Sequence, residues 1–359
     1  MTLDPIRDLA LRAGPFVTCF LPVDASQPDA RHRLDVEWRT ARRELEASGA
    51  PAELLDAVAA RLADEPLVDR TVGVIARTAD DVLVHWGPES PAAPSCRYGP
   101  LPQLVPFVEW DQSKVAHLVV QIDRVGADVL AVRRDGREIE RSVDGETENI
   151  QRSHPGGWSQ QRFQRRAENT WESNSKEVAE LLGRIASRLQ PQVVVVAGDE
   201  RATGFLVDHL PHEVRPLVRV VGGSRHSDPE ALVPDVRRLV NTEVAAATTE
   251  LLRSFDARRG AGELVAEGAA ATVAALRQAQ VDTLLVHHHL GDERTAHVDG
   301  SGAFITVDAS DRPEGLEVTE VPLLDGAIRA AWATGATVRI MPYPAAAGPS
   351  DGLGALLRF

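Results

Sequence analysis

Lysine is almost missing from this chain. Lys114 and Lys176 are its two examples, and arginine supplies the rest of the 39 basic residues. Cysteine is as scarce, with Cys19 and Cys96 alone. Two cysteines cannot build a disulfide framework or a cysteine-rich zinc site. Aromatic residues make up 4%, so the cores are expected to rest on Val, Leu, Ile and Ala. No apolar run approaches the roughly 20 residues that a membrane helix needs. The N-terminal MTLDPIRDLALRAGPF lacks a signal-peptide layout. These absences point to a cytoplasmic protein with no membrane partner. A positive balance is missing too: the formal net charge is −14, which opposes nonspecific adhesion to nucleic acid. It leaves room for a structured RNA held by one local basic surface. The preference for Arg over Lys, with abundant Ala, is read as the mark of a GC-rich genome rather than of a function.

What is present fits a folded chain of more than one core. The 359 residues exceed one ordinary domain, and 26% charged with 43% hydrophobic residues is ordinary for globular protein. Alternating strand and helix patterns predict α/β layers throughout. Three α/β domains are expected, at 1–112, 113–257 and 258–359. In the first, VTCFLPV, TVGVIAR and VLVHW read as strands, and 29–48 and 51–64 as helices, before a Pro-rich stretch from Pro88 to Pro106 loosens the pattern. In the second, HLVVQID, ADVLAVRR and EIERSV form a meander within a mixed sheet. A polar loop and a helix over 159–189 follow, then the buried strand PQVVVVAG. A strand at 214–221 and a helix over 229–257 complete it. Arg258 to Gly262 read as a hinge. The third domain is expected to be a small α/β/α sandwich, with helices over 263–279 and 321–334 and strands at 282–288, 303–307 and 337–343.

The stretch that carries most information is Gly156-Gly157-Trp158-Ser159-Gln160-Gln161-Arg162-Phe163-Gln164-Arg165-Arg166. Two glycines let backbone enter a space too narrow for side chains. Ser159 is a good N-cap candidate. Phe163, Ala167, Trp171, Val178, Leu182, Ile185 and Leu189 recur at helical spacing and form an apolar stripe. Arg162, Arg165 and Arg166 fall in the first two turns, where positive charge opposes the helix dipole. That placement makes sense if phosphates arrive from outside, because helix N-terminal amides and Arg forks both bind them. The alternative is a surface loop with incidental arginines.

The segment GGWSQQRFQRRAENTWESNSKEVAE resembles the catalytic loop and helix of the archaeal and eukaryotic class I release factors. Gly156, Gly157, Ser159, Arg162, Phe163, Arg165 and Glu168 fall in step with their Gly-Gly-Gln-Ser pattern. The meander before the loop and the buried strand after the helix resemble that family's central domain, and GELVAEGAAATVAALRQAQVDTLLV resembles its third. The resemblance covers roughly 113–359. Two departures stand out. No stop-codon-reading motif is found in the first 110 residues, and Trp158 stands where the family has its water-placing Gln. An indole offers one N–H donor and no acceptor, although it can stack on a base. The whole is most similar to the bacterial branch of the superfamily, the Balon-type hibernation factors and their actinobacterial relatives. That resemblance implies a monomer occupying the A site of the 70S ribosome. The loop 153–161 would reach 23S rRNA at the peptidyl transferase centre, alongside elongation factor Tu. It implies binding by Gly156, Gly157, Trp158, Ser159, Gln160, Arg162, Arg165 and Arg166, with no catalysis; His154, beside Pro155 and Gly156, reads as an RNA contact near the loop tip or, less favoured, a weak acid or base. The alternative it implies is a peptidyl-tRNA hydrolase in which Gln160 positions water. A weaker third reading is a nucleotide-binding regulator.

Other constellations carry less. No cofactor is expected. His287-His288-His289 ends an apolar strand and lacks acidic or Cys partners at metal-site spacing, so no metal is expected. Arg39, Arg42 and Arg43 interleave with Glu37, Glu44 and Glu46 as a solvated ion-pair face does. Gly222-Gly223-Ser224-Arg225 could cradle a phosphate, but no Walker lysine accompanies it. Gly198-Asp199-Glu200-Arg201 and Gly291-Asp292-Glu293-Arg294 both read as turn plus helix cap.

Overall fold

The computed structural model describes residues 3–68, 70–87, 94–145, 159–287, 293–302, 304–341, 348–349 and 351–359, with backbone alone for 159–167. They form two compact units, Met1–Gln112 with Thr248–Phe359, and Ser113–Ala247.

The chain opens with α1 (Asp4–Ala10), β1 (Phe16–Pro22), α2 (Ala30–Ala47), α3 (Ala52–Asp64), β2 (Thr71–Ala76), β3 (Val82–Gly87), β4 (Ser95–Gly99) and α4 (Val105–Gln112). The strands pair antiparallel in the order β3-β2-β1-β4. Strand alternation sends Val17, Cys19 and Leu21 to one face, where Leu34, Trp38 and Leu45 of α2 and Leu55 and Val58 of α3 cover them. Phe16, Phe20 and Ile75 join Ile6, Leu9, Phe107 and Trp110 in a second cluster. The scarce aromatics are pooled there, with ring centroids 4.9 Å apart for Phe20–Phe107 and 5.5 Å for Phe20–Trp110. The sheet lets them approach because Gly87 has no side chain: a Cβ there would stand 2.1 Å from the Trp110 ring. The Pro-rich stretch, expected to be irregular, contributes β4 and the start of α4. Pro106 sits in the first turn of α4, where its missing N–H leaves no helical bond unmade.

Next come β5 (His117–Ile122), β6 (Gly126–Val132), β7 (Glu138–Asp144), α5 (Ser159–Leu189), β8 (Val193–Gly198), α6 (Glu200–His209), β9 (Val218–Val221) and α7 (Val233–Ala261). The sheet runs β7-β6-β5-β8-β9. Its meander side is antiparallel and its β5-β8-β9 side parallel, so it is the expected mixed sheet. Leu118, Val120, Ile122, Val194 and Val196 pack with Val178 and Leu182 of α5 and Leu206 of α6. The segment 258–262, read as a hinge, is helical through Ala261. Helix α7 stops at Gly262, whose φ of +71° is the left-handed stop that glycine takes without strain.

The last part holds β10 (Val265–Glu267), α8 (Ala269–Arg277), β11 (Val281–His287), β12 (Thr295–Val298), β13 (Ile305–Thr306), β14 (Thr319–Pro322), α9 (Leu323–Ala333), β15 (Thr337–Met341) and β16 (Leu353–Leu357). The helix expected over 263–279 is therefore shorter. Val265–Glu267 pairs instead with Leu356–Gly354 of β16, a partner that no local pattern reveals. The sheet β10-β16-β11-β15 has helix on both faces, as expected of an α/β/α sandwich. Leu284 and Val286 meet Val273 and Leu276 of α8 and Ile328 of α9, while Leu285, Met341 and Leu356 meet Phe255 of α7. A small sheet, β13-β12-β14, lies apart from it. Among the described residues no helix is long and apolar enough to cross a membrane.

The first and last segments share one apolar cluster, from Ile6 and Phe16 to Ile328 and Ile340. Arg329 of α9 ties its polar ends. It is 2% exposed. Its Nε donates to the Ala10 carbonyl at 3.0 Å and its Nη2 to Gly300 at 2.8 Å, with longer bonds to the carbonyls of Leu11, Arg12 and Asp299. Burial lowers its pKa, yet an arginine stays charged at any pH of interest. Replacing it would leave several buried carbonyls without a donor. Arg329→Met is therefore expected to lower stability by about 2–4 kcal/mol, read as a reduced urea midpoint; an unchanged midpoint would rule out the carbonyl cage as a stabilising element.

Candidate functional site

The polar loop 146–158 lies outside the described residues, and with it His154, Gly156, Gly157 and Trp158. Ser159, Gln160, Arg162, Arg165 and Arg166 lie on the first turns of α5, where the backbone is helical from Ser159 on. Ser159 is thus the first helical residue rather than the residue before the helix. The described part of the site is the junction that holds this helix.

The junction begins in the turn between β5 and β6. The Asp123 carboxylate accepts the N–H groups of Val125 and Gly126, both at 2.8 Å. Gly126 is required, because a Cβ there would lie 1.8 Å from the Val143 carbonyl oxygen. The turn presents Arg124 to α5 and α6 together. Its guanidinium lies 4.4 Å from the Trp171 ring centroid and pairs with Asp199 at 2.9 Å. The Asp199 carboxylate also caps α6, accepting from the N–H groups of Arg201 and Ala202. That agrees with the turn-plus-cap reading; Gly291 and Asp292 of the second copy lie outside the described residues.

Asn174, one turn beyond Trp171, donates its side-chain amide to the Arg124 carbonyl at 3.0 Å. It also abuts Gly145, where a Cβ would stand 2.1 Å from its Oδ1. Gly145 in turn donates its N–H to the Val125 carbonyl at 2.8 Å. The end of the strand that leads into the loop is thereby fixed to the helix that leads out of it. The Glu168–Arg201 ion pair at 3.2 Å and a contact of Glu172 with the His209 ring at 3.6 Å brace α5 against α6. Among the described α5 residues, burial begins at Trp171 and continues through Asn174, Ser175, Val178, Ala179 and Leu182. The stretch 159–170 precedes all of this, about 18 Å of helix at 1.5 Å per residue.

Sequence reasoning missed Arg124, Gly145 and Asn174. Asn174 offered a signal, since it is a polar residue on the apolar stripe between Trp171 and Val178. Arg124 and Gly145 offered none, because their partners come from distant segments.

The other constellations resolve as follows. The half-buried Arg225 is ringed by carboxylates, with bonds to Asp128 at 3.0 Å and Asp144 at 2.6 Å and an ion pair with Asp123 at 3.5 Å. The Gly222–Arg225 turn therefore presents an internally neutralised guanidinium, which weakens the nucleotide reading. Arg42 pairs with Glu46 and Asp56, in keeping with an ion-pair face. His287 is buried, and burial lowers its pKa. No cluster of three potential metal ligands occurs among the described residues, while His288 and His289 lie outside them.

Residues 116–261 match the family model of the bacterial archaeo-eukaryotic release factor family 2. Two Mycobacterium tuberculosis proteins, MT2704 of strain CDC 1551 and Rv2629 of strain H37Rv, are each 30% identical over 375 residues, covering 100% of this chain and 97% of the relative. The chain belongs to the bacterial archaeo-eukaryotic release factors. The relatives' names carry no activity. Solved structures align at lower identity. A model of ribosome-bound archaeal Pelota and ABCE1 is 14% identical with a TM-score of 0.42, over 99% of this chain and 93% of the other. Archaeoglobus fulgidus Pelota is 17% identical with a TM-score of 0.38, over 80% and 79%. The archaeal termination factor aRF1 is 15% identical with a TM-score of 0.27, over 99% and 96%. In this bacterial release-factor chain the family match takes in the whole junction, from Arg124 through Asp199.

Two carboxylates of this unit, Asp199 of the junction and Asp128 beside Arg225, give it a pH dependence. Hydrogen bonds from Arg225 hold Asp128 below the ordinary carboxylate range. Burial alone would raise Asp199, but the Ala202 amide and Arg124 outweigh it and the carboxyl is lowered. Such groups stabilise the fold above the unfolded value of about 3.9, and the contribution is lost as pH falls through the folded value. The urea midpoint should therefore be flat from neutral to about pH 5 and fall below about pH 4. Asp199→Asn should lower the neutral plateau and flatten the acid limb; an acid limb untouched by the change would exclude Asp199 from it. Asn174→Ala should speed amide exchange at Gly145 and Val125 at least tenfold, while exchange in β8 stays as in the parent.

Proposed function

We propose that this release-factor-like protein binds the 70S ribosome in the A site and protects idle ribosomes, with the Gly156-Gly157 loop reaching 23S rRNA at the peptidyl transferase centre. The observation that carries the reading is the arrangement of α5. From Trp171 on the helix has buried side chains, and the sequence of its first two turns carries Arg162, Arg165 and Arg166 behind a glycine pair. A helix anchored at one end and cationic at the other suits a crowded, anionic destination. In this reading Gly156 and Gly157 permit close approach, Trp158 stacks on a base, and His154, Ser159 and Gln160 contact RNA near the tip. The three arginines pair with phosphates. Family membership supports a place in translation. The protein acts as a monomer in the cytoplasm, with elongation factor Tu as the expected companion, and we assign the segments 1–112, 113–257 and 258–359 as its functional domains.

A second reading is favoured by one residue. Gln160 lies two positions after the place that Trp158 occupies, and a side-chain amide there could position water at a peptidyl-tRNA ester. The two readings separate in a single preparation of ribosomes carrying labelled peptidyl-tRNA in the P site. We expect co-sedimentation of the parent without peptide release. Changing Gly156 and Gly157 to Val and Arg162, Arg165 and Arg166 to Gln should weaken binding at least tenfold and flatten its salt dependence. Release that disappears in Gln160→Ala would instead establish the hydrolase. Undiminished binding of the five-fold variant would end both readings.

A further inference from the structure

The chain has two cysteines, and the fold sets them opposite each other. Cys19 of β1 and Cys96 of β4 are register partners in an antiparallel pair. Directly opposed residues of such a pair have Cα atoms about 4.5 or 5.5 Å apart, and both values fall inside the range of about 4.4–6.8 Å that a disulfide spans. The two side chains share a face: Cys19 belongs to the cluster under α2 and Cys96 packs against it. Cys96 is also the neighbouring thiol that, after burial, pushes the Cys19 thiol up. Cys19 is fully buried and Cys96 half-buried. Two small hydrophobes filling a core would account for Cys19. They would not account for the pairing of the chain's two thiols across one ladder, with one of them open to solvent.

We propose that Cys19 and Cys96 form a peroxide-reactive dithiol that closes reversibly to an intramolecular disulfide. Cys96 is the less buried of the two, and burial pushes the Cys19 thiol up, so oxidation starts at Cys96. The Cys96 thiol loses its proton, the thiolate attacks hydrogen peroxide, the O–O bond breaks, and the departing hydroxide takes up that proton, leaving a sulfenic acid and one water. The Cys19 sulfur then attacks the Cys96 sulfur, the S–O bond breaks, and a second water leaves with the Cys19 proton. Two thiols are oxidised and one peroxide is reduced to two waters. A dithiol donor reverses the step by thiol–disulfide exchange. Strand β4 lies at the sheet edge, paired on one side to β1, so it is free to make the small adjustment that closure needs. The bond would clamp the strand that carries Arg97, whose guanidinium pairs with buried Asp325 of α9 at 2.7 Å. Oxidation would thereby stiffen the attachment between the first and last segments.

The test uses the full chain, purified reduced and treated with millimolar hydrogen peroxide. Thiols counted after denaturation are expected to fall from two to none, the intact mass to drop by two hydrogens, and dithiothreitol to restore both. The midpoint of thermal unfolding should rise by roughly 4 °C or more in the oxidised form, because the bond closes a long loop. Cys19→Ala should trap Cys96 as a dimedone-reactive sulfenic acid, and Cys96→Ala should leave Cys19 unreactive. The parent itself supplies the readout if either variant fails to fold. Two thiols surviving in the folded parent, a gain of oxygen atoms without loss of hydrogens, or a disulfide that joins two chains on a non-reducing gel would each overturn the proposal.

Discussion

The guanidinium of Arg124 is used on every side. Its flat face lies against Trp171, its edge pairs with Asp199, and the carbonyl of the same residue accepts from Asn174. Only a planar, permanently charged group can stack and pair at once, so a lysine here could satisfy one contact and lose the other. Three elements depend on this residue for their mutual position: the β5–β6 turn, helix α5 and the N-terminus of α6. The junction also explains two glycines. Gly126 and Gly145 are places where backbone or a side chain comes too close for a Cβ. The charged centre is therefore surrounded by a backbone arrangement with little freedom to relax, and it fixes the direction in which α5 leaves the sheet.

That direction matters because α5 opens against its own interest. Arginines in the first turns of a helix face the positive end of its dipole, at about 0.3–1 kcal/mol each. Burial of Trp171, Val178 and Leu182 contributes about 1.5–3 kcal/mol each, which decides the balance in favour of the helix. Glu168, paired with Arg201 just before the buried stretch, marks the last described charge pair before the arginines begin.

How legible this was in the sequence depends on whether a signal was local. The meander β5–β7, helix α5 and strand β8 follow from alternation, an apolar stripe and a continuous Val run, all contained within one segment. Strand β4 and strand β16 were missed because their pairing partners, β1 and β10–β11, lie far along the chain. The supposed hinge at 258–262 was misread for the opposite reason. Arg258, Arg259 and Gly262 do end a helix, but the arginines lie inside its last turn, where cations suit the dipole, and Gly262 alone makes the stop. At the site, the arginine island was visible and its anchor was not. The pairing of Cys19 with Cys96 is likewise a property of register, invisible in spacing.

The Trp at position 158 sets how accurate the anchor has to be. Stacking on a base tolerates sliding in the plane and contributes roughly 1–3 kcal/mol, whereas placing a water for attack needs alignment to about half an ångström. About 18 Å of helix separates Ser159 from Trp171, and any angular error of the junction grows along it. Such a lever suits a contact that forgives displacement, and precise chemistry at its end would require the destination to supply the final alignment. For the proposed role the weight therefore falls on binding: the junction would direct an arginine-rich segment to its target, and the rRNA of the proposed site would complete the geometry.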